Sequence, residues 1–193
     1  MNRSTNLVIV SGPSGSGQDS VIAGLIEHGL PIEHIKTSVT RPMRPSESEG
    51  KPYNFITTEV FDALIAKDEL AEWALVYGHK YGVTKHELER VKSLPDKIGI
   101  WKMEWHGVKT AKSLYPDILA IMIVPPSLET LVERSEKRAE QDRHEIEERL
   151  AGSREMLEHK DIYDYVIVNE EDKLEQTIDK VIDALKKEEY ITI

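Results

Sequence analysis

The stretch LVIVSGPSGSGQDSVIAGLIEHG, residues 7–29, constrains the fold more than any other part of the chain. Leu7 to Val10 form a short unbroken apolar run, which suits a strand buried on both faces of a parallel sheet. Glycines follow at 12, 15 and 17. Apolar residues then recur at 21, 22, 25 and 26, a helical spacing, and Gly29 marks the stop. Strand, glycine loop and helix in this order build a phosphate cradle. The glycines let backbone N–H groups converge, and the helix adds the positive end of its dipole. Neither effect needs a lysine. The candidate phosphate contacts are Gly12, Ser14, Gly15, Ser16, Gly17, Gln18, Asp19 and Ser20. The bland alternative is a Gly/Ser turn that binds nothing. Gly12 and Gly17 keep the spacing of G-x-x-x-x-G-K-[ST], yet the last two positions hold Gln18 and Asp19.

The rest of the chain alternates strand and helix. Strands are predicted at 34–39, 69–77, 97–103, 118–124 and 163–169. Helices are predicted after the glycine loop, at 59–67, at 84–93 and over EWHGVKTAKSLY. Two charged helices, interrupted near 139–142, fill 125–159, and an amphipathic helix with apolar residues at 174, 178, 181, 182 and 185 closes the chain. Residues 40–55 carry three prolines and one glycine and read as loop or lobe. The pattern predicts an α/β fold, a parallel sheet with helices on both faces. At 193 residues the chain fits one domain. A net charge of −10 argues against a nucleic-acid polymer as partner. The absence of cysteine excludes disulfides and thiolate metal sites and is compatible with a cytoplasmic protein. No apolar run approaches the ~20 residues of a membrane-spanning helix.

Other residues could carry chemistry. Arg41 and Arg44 lie three apart in the proline-rich segment and could grip one phosphate with bidentate bonds, or form a solvated charged loop. Tyr53 and Tyr81 are bland taken singly. Glu72 sits inside an apolar stretch, and a buried carboxylate needs donors. Arg134, Arg138, Arg149 and Arg154 read either as salt-bridged helix surface among glutamates or as a mobile arginine-bearing flap.

Taken together, these pieces resemble the guanylate kinase family. IVSGPSGSG, SVTRPMRPSESEGKPYNF, ELAEWALVYGHKYG, HGVK, PPSLETLVER and YVIVN follow one another in that family's order, over about residues 7–187. The segment from Thr40 to Phe55, T-R-x-x-R followed by E-x-x-G-x-x-Y-x-F, is the most specific part. The resemblance implies a P-loop core, a GMP-binding lobe over about 37–92 and a lid over about 134–150. It implies transfer of phosphate from ATP to GMP, with Mg²⁺. Arg41, Arg44, Tyr53 and Tyr81 would hold the GMP phosphate. Thr37, Glu72, Thr84 and Glu104 would complete the GMP site, the two acids accepting from guanine. Arg134, Arg138 and Arg149 would be lid and catalytic arginines, and Asn169 would lie near the adenine.

The departures from the family are concentrated. Gln18 stands for the loop lysine, Asp19 for the hydroxyl residue that binds Mg²⁺, and Lys102 for the first acid of D-x-D on a core strand. The charge summed over these three positions is unchanged. Lysine is a point charge on a flexible stem and can act from a different anchor. Lys102 is therefore expected to reach the ATP phosphates, with Asp19 and Ser20 as the Mg²⁺ residues. The competing expectation is that Lys102 merely pairs with Asp19. Val83 replaces a hydroxyl residue at the guanine, for which Thr84 is the expected substitute. Two further readings stay open: a guanylate kinase-like module that binds GMP or a phosphopeptide without catalysis, and a kinase like ribose 1,5-bisphosphate phosphokinase, suggested by G-S-G-x-D-S.

Overall fold

In the computed structural model, residues 5–45, 47–137 and 143–191 are described. The first strand, β1 (Leu7–Ser11), is completely buried along its length. It is central because both edges are paired, in parallel, with β7 (Ile98–Lys102) and β8 (Leu119–Val124). The outer positions go to β2 (Ile32–His34) and β9 (Tyr165–Val168), giving a five-stranded parallel sheet in the order β2-β7-β1-β8-β9. Side chains alternate between two cores. Val8, Val10, Ile100, Ile121 and Ile123 face a layer made by α1 (Gln18–Glu27) and α7 (Leu174–Lys187). Leu7, Ile9, Trp101, Ala120 and Met122 face the other side. There they meet α3 (Lys85–Lys92), α4 (Trp105–Leu114) and the end of α6 (Arg143–Glu158). α5 (Leu128–Lys137) precedes α6. The interruption expected near 139–142 lies outside the described residues.

A second sheet has four strands in the order β4-β3-β6-β5. These are β3 (Thr37–Val39), β4 (Tyr53–Phe55), β5 (Leu70–Val76) and β6 (His79–Thr84), with α2 (Thr58–Ala66) packed against them. Here the structure corrects the sequence reading three times. The single strand expected at 34–39 is two strands in two sheets. The Ile35 N–H still bonds to Ile100 O in the first sheet, while the Thr37 N–H bonds to Pro52 O in the second. The segment read as loop or lobe contains β4, a strand not expected there, and β6 was not expected at all. β5 and β6 form an antiparallel hairpin around Tyr77–Gly78, with φ of 47° and 76°. Two successive left-handed residues match the twist of a tight hairpin. β6 shows little apolar alternation in sequence, because Gly82 leaves no side chain to read; a Cβ there would lie 2.8 Å from Trp73 Cβ.

Candidate active site

In open parallel sheets the cleft lies beyond the carboxyl ends of the strands. Here that edge carries the glycine loop, Lys102 and Glu104, and the four-stranded sheet stands across from it. Together they enclose a cleft of about 1080 Å³. Of the expected site residues, Gly12, Ser14, Gly15, Gly17, Gln18, Asp19 and Ser20 line one side. Thr37, Arg41, Arg44, Tyr53, Glu72 and Tyr81 line the other, with Lys102 and Glu104 between.

The loop is built on close backbone approach. Gly12 has φ +148°, and a Cβ there would overlap the Ile123 carbonyl oxygen. Gly17, φ +94°, is the N-cap of α1, and a Cβ there would overlap the Asn169 amide. That amide supports the loop from beneath. Asn169 Nδ2 donates to Ser16 O at 2.8 Å, and its Oδ1 accepts from Thr177 Oγ1 at 3.0 Å. Asn169 is thus buried behind the loop and is not part of the cleft lining. Ser16, expected among the phosphate contacts, is instead fully buried and does not line the cleft: its N–H donates to Pro13 O at 3.0 Å and its carbonyl takes the Asn169 amide. Gln18 Nε2 donates to Gly12 O, which ties the helix start back to the loop start.

Across the cleft, the Arg41 guanidinium is 7% exposed and fully engaged. Both arms bond to the Glu47 carboxylate, at 2.5 and 2.6 Å, and Nε donates to the Tyr81 hydroxyl at 3.1 Å. The guanidinium carbon lies 5.1 Å from the Tyr53 ring centre and 5.4 Å from that of Phe55. Burial pulls the Arg41 pKa down, but Glu47 and Tyr81 outweigh it and hold the group above its ordinary value. Glu47 also accepts from the Arg44 backbone N–H at 2.9 Å. Its carboxylate fills the fork of the Arg41 guanidinium. Sequence reasoning gave Glu47 no role, because in SESEG it reads as one more exposed acid. The signal that could have found it was its place as the first residue of E-x-x-G-x-x-Y-x-F.

The acids Glu72 and Glu104 sit deeper. A register shift between Leu70 and Glu72 bends β5, and strand alternation then puts Glu72, Ala74 and Val76 on the cleft side. Trp73 and Leu75 point away, 45% and 65% exposed. Gly107 on α4 leaves the room: a Cβ there would lie 2.8 Å from Glu72 Oε1. Burial, reinforced by the Glu104 charge, pushes the Glu72 carboxyl up to about 7. Burial does the same to Glu104, also to about 7, with Lys102 opposing and Glu155 adding to it.

Lys102 ends β7, beside Val10 of β1. Its ammonium is 2.6 Å from Asp19 Oδ1 and 5.0 Å from the Tyr53 ring centre. Nearby His34 is driven down to about 4 by burial and by Lys102, so it is neutral.

Two expectations about the base need correction. Thr84 is not in the cleft lining; it ends β6 and caps α3, its hydroxyl accepting from the Glu87 N–H at 3.1 Å. Val83 is 1% exposed in the core beside α3, so the change from a hydroxyl residue there touches packing rather than the cleft surface. Arg138 lies outside the described residues. Arg134 and Arg149 fall in α5 and α6 with side chains outside the described part.

An anion cradle facing an arginine–tyrosine cage across one shared cleft is the arrangement of the P-loop nucleoside monophosphate kinases. A family model described as Guanylate kinase matches residues 4–188. The guanylate kinase of Coxiella burnetii is 35% identical over 189 residues, covering 97% of this chain and 89% of that protein. The crystal structure of guanylate kinase from Anaplasma phagocytophilum superposes with a TM-score of 0.76 at 30% identity, over 98% of this chain and 89% of that one. The chain belongs to the guanylate kinase family. The SH3-kinase fragment of tight junction protein 3 shares the fold, with a TM-score of 0.55 at 10% identity over 100% of this chain and 61% of that one.

Proposed function

We propose that this protein transfers the γ-phosphoryl group of ATP to GMP or dGMP, giving ADP and the nucleoside diphosphate. The observation that carries this reading is the shared cleft, with a donor cradle on one wall and a cage plus two buried acids on the other. The glycine loop holds the ATP phosphates. Arg41, Arg44, Tyr53 and Tyr81 hold the GMP phosphate, and Glu72 and Glu104 accept from guanine N–H groups, with Thr37 beside them. The family resemblance makes about 37–92 the GMP-binding lobe and about 134–150 the lid, whose Arg134, Arg138 and Arg149 would act on the ATP phosphates. Asn169 braces the loop that holds the ATP phosphates and makes no direct contact with the adenine.

The chemistry needs no general base, because an oxygen of the GMP phosphate is already anionic. It bonds to the γ-phosphorus as the bond from that phosphorus to the β–γ bridging oxygen breaks, and ADP departs. What the protein supplies is alignment, charge stabilisation and exclusion of water. Mg²⁺ fits the residues present: this ion asks for one or two carboxylates together with substrate phosphates and water. Asp19 and Ser20, exposed on the first turn of α1, would hold it, and it would neutralise phosphate charge. Among the described residues no cluster of three acidic or histidine ligands offers an alternative. No helix of the described residues is long and apolar enough to cross a membrane, and we assign the reaction to the cytoplasm.

The test is ADP release with ATP, Mg²⁺ and GMP, against AMP, CMP, UMP and ribose 1,5-bisphosphate. Turnover with GMP well above the others is expected. GMP binding without turnover would favour a non-catalytic module, and turnover with the sugar phosphate alone would favour the other kinase. The buried acids argue against the latter, since a sugar phosphate offers them no paired N–H donors.

The raised carboxyl pKa values give a pH dependence. A carboxyl must be ionised for both of its oxygens to accept from guanine N–H groups, and both acids titrate near 7. GMP affinity, measured by calorimetry, should therefore tighten about tenfold from pH 6 to pH 8 for each acid titrating near 7. Glu72→Gln should bind more weakly and with a shallower slope. Identical slopes for variant and parent would sink the assignment of Glu72 to the base.

A further inference from the structure

We infer that Lys102 supplies the positive charge missing from the glycine loop, gripping the transferring phosphoryl group from the neighbouring strand. The inference rests on the kinase reading above. It begins with Gln18. This residue stands where the loop motif places a cation, but it is neutral, and its amide is turned onto the Gly12 carbonyl. Lys102 stands one strand away, in register with Val10, the residue that precedes Ser11 and the loop. A side chain from that point enters the cleft at the height of the loop, and Lys102 does line it.

Its location between the two walls matters more than its proximity to the loop. The ammonium touches Asp19, on the first turn of α1, and lies against the ring of Tyr53, in the acceptor cage. On the kinase reading the γ-phosphoryl group crosses from the donor wall to the acceptor wall, and Lys102 lies between the two. A cation there can donate hydrogen bonds to the equatorial oxygens without giving up a proton, which is where charge stabilisation acts in phosphoryl transfer.

The pair with Asp19 is built asymmetrically. Lys102 is 16% exposed and Asp19 is 72% exposed. Leaving the pair costs the carboxylate little, since water solvates it at once. The ammonium has given up most of its water, and its next best partner is another anion arriving in the cleft. Asp19 is thus a place-holder that a phosphate oxygen can replace. A merely structural ion pair would have no reason to sit in the cleft between donor and acceptor.

The experiment has two parts on the full chain. Binding of ATP is measured with EDTA present, so that no metal contributes. Lys102→Ala should weaken ATP at least tenfold, the size expected for one charged contact, while leaving adenosine binding within about threefold. Asp19→Asn should tighten ATP, because it removes the anion that competes for Lys102. A structural pair predicts weaker binding in both variants, and that outcome would overturn the proposal. Turnover is then measured with Mg²⁺. Lys102→Ala should lower kcat by at least about 100-fold, as loss of a transition-state donor does. Gln18→Lys placed in that background should recover tenfold or more, which also shows that the variant folds. Turnover of Lys102→Ala within fivefold of the parent would overturn the role of Lys102 and leave the GMP reading intact. Failure of the GMP reading has a different signature: the unmodified chain inert with GMP, while ATP still depends on Lys102.

Discussion

Arg41→Ala should raise the KM for GMP by about 100-fold, with a smaller fall in kcat, because a buried, charge-assisted bidentate grip is lost. The guanidinium is already desolvated and aimed by Tyr81, Tyr53 and Phe55, so no ordering cost remains when phosphate arrives. The phosphate needs only to displace Glu47, whose carboxylate now takes both arms of the fork. Truncating Arg41 also leaves Glu47, itself 14% exposed, without its main cation. Stability should fall for that reason, separately from binding. The double variant Arg41→Ala/Glu47→Ala distinguishes the two: it should recover thermal stability but not GMP affinity. Arg41→Lys should rescue little, since a point charge cannot reproduce the planar fork. Steady-state kinetics over a range of GMP concentrations, with melting curves beside them, make the check. A KM within threefold of the parent would remove Arg41 from the acceptor site.

Gly12→Ala should be the most damaging single methyl group in the molecule. Its backbone is left-handed at φ +148°, and the added carbon would overlap Ile123 O, a carbonyl of strand β8 next to β1. Backbone cannot swing aside as the tip of a side chain can, so the sheet edge or the loop must shift. We expect a loss of about 3 kcal/mol of stability, from strain and overpacking combined, and loss of turnover through displacement of the cradle. Gly29→Ala is the matched control. Gly29 also has positive φ, +80°, but nothing lies within 4 Å of its would-be Cβ. It should cost only the local backbone penalty, about 1–2 kcal/mol. Urea unfolding of the two variants gives the comparison, and equal losses would show that the contact with Ile123 is irrelevant.

The central part of the fold was legible because one local pattern dictated it. An unbroken apolar run, a glycine loop and a helical repeat have few solutions other than a parallel strand feeding a phosphate cradle. The second sheet was less legible. Thr37–Val39 and Tyr53–Phe55 are three-residue strands, too short to show alternation, and β6 hides its pattern behind Gly82. Among site residues, those with unusual chemistry for their surroundings were found, such as Glu72 in an apolar stretch. Glu47 was missed because, in a polar loop with Glu49 two residues on, it reads as one more exposed acid, and Thr84 was misassigned because a capping hydroxyl and a ligand hydroxyl look alike in one dimension.

The chain's order of apolar runs and glycines by itself determined that a glycine loop opens at the edge of a parallel sheet, in the form of a phosphate cradle. These are local properties: backbone freedom, periodicity and charge type act within a few residues. Pairing was decided only by the tertiary structure. Asp19 and Lys102 are 83 residues apart, and no local rule brings them to 2.6 Å. Strand register does so, by setting the end of β7 beside β1 and hence beside the loop and the first turn of α1. The same holds for Arg41 against Tyr81 and Glu72 against Gly107. An ion pair or a buried acid takes its energy from its neighbours' distance and from the water they exclude, and both are set by how the sheets and helices pack.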